Sequence, residues 1–260
     1  MRTLSHIASI IESQGRKGLV DLAIRHIVKP KAKCRFIAQD RIRGKFVIEI
    51  GGLSEPFTSG GMMPLYPHIR NLQNWNPFPS QGDCFAECPV NSFPFDGFTS
   101  KPSLPVDADA IISCHALEHT ANPLQALVNW KSFLHLGGHL ILVVPDRAKM
   151  FDHRRPLTTF GHLLRDFADK TPESDRTHFH ELVLYDVHAP GFCPDLPFYH
   201  LSPDSTWLDR LKDNTKWRYF HHHTFDEQLT RQCVNWAGYR LICSETVNPF
   251  HIVVLAQLCH

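Results

Sequence analysis

The stretch Asp109–Arg147, DAIISCHALEHTANPLQALVNWKSFLHLGGHLILVVPDR, decides the fold. Ala110-Ile111-Ile112 is a short apolar run of the kind that forms a buried strand. The chain then turns through Ser113-Cys114-His115. Asn122-Pro123 predicts a helix start, because Asn caps well and Pro suits the first turn. Leu124, Leu127, Val128 and Leu134 recur at helical spacing and give that helix a buried stripe. Gly137-Gly138 predicts its end, since glycine tolerates the left-handed cap. Leu140 to Val144 is a second buried strand, closed by Pro145-Asp146. Strand, crossover helix and strand make a βαβ unit with parallel strands.

Working outward, Lys45 to Gly52 reads as a strand and its turn. Val47, Ile48 and Ile50 are strand formers, and Gly51-Gly52 lets the backbone approach a ligand closely. A nicotinamide site would need G-x-G-x-x-G opening a helix. Leu53, Ser54 and Pro56 stand there instead. His68 to Asn74 reads as the next strand, and residues 75–105 as a long loop with one short strand. At the other end, Asp226 to Trp236 reads as a helix stopped by Gly238. Tyr239 to Thr246 and His251 to Leu258 then form a hairpin around Asn248-Pro249.

Taken together, these elements resemble class I S-adenosylmethionine (SAM)-dependent methyltransferases, in an uncharacterised bacterial branch. The resemblance rests on Asp109, the phrase His115-Ala116-Leu117-Glu118-His119, Leu136-Gly137-Gly138 and Pro145, with Glu49-x-Gly51-Gly52 upstream. It covers about 45–147 and 225–260. It implies an α/β, Rossmann-like, doubly wound, mostly parallel sheet whose last strand is antiparallel. It also implies SAM as cofactor, held by Glu49, Gly51, Gly52, Gln73, Asn74, Asp83, His115 and Leu117. Gln73 stands where most relatives carry an acidic residue for the ribose hydroxyls, so that contact lacks charge assistance.

The expected organisation has four parts. Residues 1–44 form a helical extension, with helices over 3–13 and 17–28. Residues 45–151 form the SAM-binding core, 152–224 an inserted His-rich substrate cap, and 225–260 the return to the sheet. In the cap, Thr158 or Thr159 caps a helix whose buried face is Phe160, Leu163, Leu164 and Phe167. Open α/β sheets bind ligands at the carboxyl ends of their strands, where this cap would sit.

Methyl transfer to a hydroxyl or amine needs a base, and histidine suits neutral pH. The candidates for catalysis are His115 and His119 on the core, and Asp152, Arg155, His162 and His223 in the cap. Arg155 is of the type that holds an acidic acceptor by a bidentate contact. A rival reading is a metal site. Residues i and i+2 share a face in extended chain, so His178/His180 and His221/His223, with Asp152, would offer ligands to one ion.

Charge and composition restrict the partners. Residues 1–45 carry 11 Lys/Arg against 3 Asp/Glu, while the whole chain is only +1. The basic segment therefore expects an anionic contact, within the chain or outside it. Low net charge argues against nucleic acid. No run of apolar residues reaches the roughly 18 that span a bilayer, and no secretory pattern opens the sequence. The eight scattered cysteines lack a C-x-x-C pair and suit a reduced, cytoplasmic setting. The expected activity is methylation of a small-molecule or sugar hydroxyl or amine. The alternatives are a SAM-fold binding protein that has lost transfer, or the metal-dependent enzyme.

Overall fold

The computed structural model describes residues 30–76, 87–93, 107–185, 215, 218 and 220–259. The two helices expected before residue 29, and Asp83, lie outside these residues. The described chain forms helix α1 (Arg35–Ile42) and then strands β1 (Phe46–Ile50), β2 (Asn71–Trp75), β3 (Val90–Phe93) and β4 (Ala108–Cys114). Helix α2 (Pro123–Lys131) leads into β5 (Leu134–Pro145). Two cap helices follow, α3 (Phe160–Asp169) and α4 (Phe179–Leu184), before α5 (Glu227–Trp236), β6 (Tyr239–Val247) and β7 (His251–Leu258).

All seven strands join one sheet in the order β3-β2-β1-β4-β5-β7-β6. Strands β1 to β5 pair in parallel, and β7 runs antiparallel to both of its neighbours. Successive side chains on a strand face opposite ways, and both faces are covered. Ile48, Ile111, Leu140 and Leu142 pack with Leu127 and Trp130 of α2 and with Leu229 and Val234 of α5. Val47, Ile112, Ile141 and Val143 pack with Ala38 and Ile42 of α1 and with Phe57 and Tyr66. This two-sided burial explains why the parallel strands read as unbroken apolar runs.

The βαβ unit is present, with Asn122 capping α2 by accepting from the Gln125 amide. Its helix is shorter than expected. It ends at Lys131, and Leu134 already opens β5. Gly137, at φ +87°, lies inside that strand, where the β4–β5 pairing shifts between Ala108 and Ala110. The two glycines therefore serve a strand irregularity and not a helix cap.

The second strand also differs from the expected 68–74. A 3₁₀ turn occupies Tyr66–His68, and β2 runs to Trp75, which pairs with Ile50. The tip of β2 is thus Trp75, two residues beyond Gln73.

After Pro145 the chain leaves the sheet, and it returns beside its point of departure. Asp146 and Phe225 form a parallel bridge, and the Arg147 amide donates to the Phe225 carbonyl at 2.8 Å. Within this excursion Thr159 caps α3 by accepting from the His162 amide. Phe160, Leu163 and Phe167 pack against the main core. Leu164, expected on the same face, is exposed. No helix among the described residues is long and apolar enough to cross a membrane.

Candidate functional site

The turn after β1 is built around Glu49, which is fully buried. Ser54 Oγ donates to its Oε1 at 2.7 Å, and the Tyr66 hydroxyl donates to its Oε2 at 2.8 Å. Burial pushes the Glu49 carboxyl up to about 8, against the opposing effect of those hydrogen bonds. Its polar atoms are engaged inside the protein, where they tie the turn down. Gly51 sits at φ +113°, and a Cβ there would lie 2.7 Å from Ala116 Cβ. Ser113 Oγ donates to the Ile50 carbonyl at 2.9 Å. The turns after β1 and β4 are therefore in direct contact.

Beside this junction lies a cavity of about 510 Å³. Ser54, Glu55 and Pro56 line it from the first turn, and Cys114, His115, Glu118 and His119 from the second. Met150 and Phe151 follow β5, Leu182, Phe220 and His221 come from the cap, and Phe250 and His251 from the start of β7. It opens where the parallel strands end, the usual place for a ligand in such a sheet.

His115 carries the backbone out of β4 at φ 51°, a region costly for a residue with a side chain. Its ring bridges two groups. Nε2 lies 2.8 Å from His251 Nδ1, and Nδ1 lies 3.4 Å from Glu118 Oε1. Glu118 is fully buried, and neither carboxylate oxygen makes a hydrogen bond. His119 Nε2 and His221 Nε2 each stand 3.9 Å from its Oε1. Burial alone would raise this carboxyl. The approach of His115, with His119 and His221 beside it, outweighs burial and holds it below its ordinary value.

His119 differs from its neighbours. Its Nδ1 lies 3.0 Å from the Phe220 carbonyl. A carbonyl only accepts, so Nδ1 carries the proton and Nε2 is left as the acceptor. Burial, reinforced by His221, lowers His119 to about 4. It is therefore neutral at pH 7. His221 is the reverse case. Its Nδ1 pairs with Asp152, and despite burial that carboxylate raises it above its ordinary value.

From Asp152 the polar network runs into the cap. Arg155 is buried and donates to Asp152 Oδ1 at 2.9 Å, to Glu181 Oε2 at 3.0 and 3.1 Å, and to the carbonyls of His221 and His222. Glu181 Oε1 lies 2.9 Å from His178 Nδ1. His178 Nε2 in turn lies 2.9 Å from His162 Nε2. The contacts of Arg155 are thus internal, so its guanidinium serves the cap and not an acidic acceptor.

The expected site residues therefore fall into three places. His115 and His119 line the cavity. Asp152 and Arg155 stand behind His221, while His162 and His223 gather with His178 away from it. Gln73 Oε1 accepts from the Trp75 indole, Asn74 Nδ2 donates to the Gly52 carbonyl at 2.7 Å, and Leu117 is buried in the core. The five residues expected around one ion divide. His178 and His223 lie in one cluster, Asp152 and His221 in the other network, and His180 is exposed. An i, i+2 pair shares a face only in extended chain, and His180 lies in α4, so the pairing fails there.

Sequence reading missed Glu118, Glu181 and His251. Glu118 was visible between two histidines, and its burial was not. His251 was reachable from topology. An antiparallel strand beside β5 starts where β5 ends, and Pro145 indeed pairs with His251.

No protein-family model matches the sequence, and no curated protein matches it. Solved structures do. A putative SAM-dependent methyltransferase from Listeria monocytogenes aligns with TM-score 0.50 at 11% identity, over 87% of this chain and 97% of that one. The chain has the class I SAM-dependent methyltransferase fold. The strand order and the single antiparallel strand are those of a Rossmann-like methyltransferase sheet. The 1,6-didemethyltoxoflavin-N1-methyltransferase of Burkholderia thailandensis aligns at 10% identity and TM-score 0.46, over 98% of this chain and 90% of that one. The CurJ carbon methyltransferase aligns at 14% identity and TM-score 0.41, over 84% of this chain. This chain spans 50% of that one's length.

The buried histidines make stability depend on pH. Burial lowers His119 and His139 to about 4 and His251 to about 3. A base with a depressed folded value stabilises the fold fully above about 6.5 and loses that contribution as pH falls toward the folded value. Glu49, raised to about 8, works the other way over the same range. The three histidines, with His222 lowered to about 3 and His223 also lowered by burial, outweigh Glu49 and leave a net loss of about 2 kcal/mol or more per pH unit between pH 6.5 and 5. Urea unfolding across that range measures it, and a flat profile would refute it.

Proposed function

We propose that this protein transfers the methyl group of SAM to a small-molecule hydroxyl or amine, with His119 as the base. The observation that carries this reading is the cavity of about 510 Å³ between the two joined turns, a volume suited to a small organic molecule. When bound, SAM supplies a methyl carbon activated by a sulfonium. The donor side fits the chain locally. Among the described residues a Cβ on Gly52 would meet only Asn76 Nδ2, at 4.0 Å, which leaves its backbone open on that side to close approach by a ligand. Asn76, just past the tip of β2, is the residue we place at the ribose. The acceptor lies against His115, Phe151 and Phe250, and its proton passes to His119 Nε2. Glu118 and His221 form the floor, and Asp152 favours the protonated form of His221. The six described cysteines are free thiols, consistent with a cytoplasmic protein acting on a soluble metabolite or a glycan.

Calorimetric titration with S-adenosylhomocysteine tests the donor half. One saturable site per chain is expected, and no binding at millimolar ligand would end the proposal. His119→Gln should keep that binding and lower turnover of an accepted substrate by about 100-fold or more. A second reading, ligand binding without transfer, is favoured by Gln73, whose oxygen is taken by Trp75. Turnover screening with labelled SAM separates the two.

A further inference from the structure

A second histidine cluster lies in the cap, outside the cavity. His162 comes from the first turn of α3, His178 from the segment just before α4, and His223 from the chain returning to the sheet. One ring nitrogen of each lies within 4.8 Å of the others. Asp166, one turn after His162 on α3, places Oδ2 at 3.2 Å from His162 Nε2 and 3.7 Å from His223 Nε2. We propose that His162, His178, His223 and Asp166 bind one divalent transition ion of the zinc class, which fastens the cap.

Four observations converge on an ion. His162 Nε2 and His178 Nε2 face each other at 2.9 Å. Nitrogens held about 2.0–2.1 Å from a tetrahedral ion stand about 3.3 Å apart, so little movement is needed. Second, Glu181 accepts from His178 Nδ1. This fixes the tautomer and turns Nε2 inward, as a carboxylate behind a metal-bound histidine does. Third, His223 is 1% exposed; its Nε2 lies 3.1 Å from the Ala121 carbonyl and so carries the proton, which leaves the unpartnered Nδ1 with its lone pair for an ion. Fourth, Asp166 Oδ2 is buried and also makes no hydrogen bond, while its Oδ1 accepts from Thr171 Oγ1. A proton shared between His162 and His178 would satisfy those two rings alone. It would leave the His223 nitrogen and the Asp166 oxygen buried and unmet, which is costly. Imidazole with one carboxylate suits zinc, with cobalt and nickel as close competitors.

The site joins three pieces of chain, and the apolar face of α3 belongs to a different core cluster from Phe179 and Phe220. Through Glu181 and Arg155 it also steadies Asp152 and His221, the back wall of the cavity. The inference does not depend on methyl transfer.

The test uses full-length protein purified without metal-affinity resin and stripped with chelator. Zinc titration should show one saturable site, and zinc should raise the unfolding temperature. His162→Ala, at a partly exposed position, should lose both while keeping its circular dichroism. Glu181→Gln, which leaves all four ligands, should weaken zinc about 10–100-fold. His180→Ala and His119→Ala should bind as the wild type does. Absence of saturable zinc binding by the folded wild type would overturn the proposal. So would undiminished binding by His162→Ala, or loss of binding in His119→Ala, which would move the ion to Glu118, His119 and His221.

Discussion

Arg155→Ala is expected to lower the free energy of unfolding by about 3–5 kcal/mol, the range for breaking a buried ion pair from one side. The guanidinium is 1% exposed and faces two carboxylates. Removing it leaves Asp152, which is 2% exposed, with His221 as its remaining partner among the described residues, and Glu181 with His178. It also takes a donor from the carbonyls of His221 and His222. Arg155→Lys should recover only part of the loss. A single ammonium cannot span Asp152, Glu181 and two carbonyls at once. Urea denaturation at pH 7 gives the numbers. A loss below about 1 kcal/mol would mean that the network relaxes around the gap and that Arg155 is not its keystone. The pair also has an acid limit. Burial raises both carboxyls, but the hydrogen bond from His178 and the charge of Arg155 bring Glu181 to about 2, and His221 with Arg155 brings Asp152 below its ordinary value. Carboxyls with depressed values stabilise the fold above their unfolded values and lose that contribution as pH falls through the folded ones. The share of Glu181 should vanish between roughly pH 4.5 and 2.

Gly51→Val is the second large effect, expected to cost about 2–5 kcal/mol from backbone strain and overpacking together. The position combines φ +113° with an Ala116 Cβ only 2.7 Å from where a side chain would start. The new branch must push the turn after β1 off the turn after β4, which opens the wall of the cavity. Binding of S-adenosylhomocysteine should be abolished with it. Two comparisons separate the causes. Gly44→Ala, at φ +70° with nothing within 4 Å among the described residues, should cost strain alone, about 1 kcal/mol. Gly60→Ala, with open space among the described residues and ordinary backbone, should be near neutral. If Gly51→Val binds the ligand as tightly as wild type, the two turns do not form the donor pocket.

What the sequence disclosed follows from how local each signal is. The strand at Ile111, the helix opened by Asn122-Pro123 and the strand at Leu140 are written in neighbouring residues, and they appear where expected. Gly137-Gly138 misled because glycine serves a helix cap and a strand irregularity equally well, and only pairing with β4 decides between them. The end of β2 was misplaced for the same reason, since Trp75 joins the strand through Ile50. The candidate site divides likewise. His115 and His119 follow from their position after β4. The company they keep does not, because Glu118 meets His221 and Arg155 meets Glu181 only when distant segments fold together. His162 illustrates the limit well. It lies off the apolar stripe of α3, and its partners His178 and His223 come from separate pieces of the cap.

The place of β7 has a consequence for biosynthesis. Leu140 pairs with Ala256, and β6, made earlier, sits outside β7 at the rim of the sheet. During translation β5 emerges with one flank bare and stays so until the hairpin arrives. Such distant pairing slows folding and leaves a sticky margin open in the meantime. Synthesis in the presence of a chaperone that shields exposed strands should therefore raise the soluble yield, and a ribosome stalled before residue 251 should carry a nascent chain that proteases readily cut.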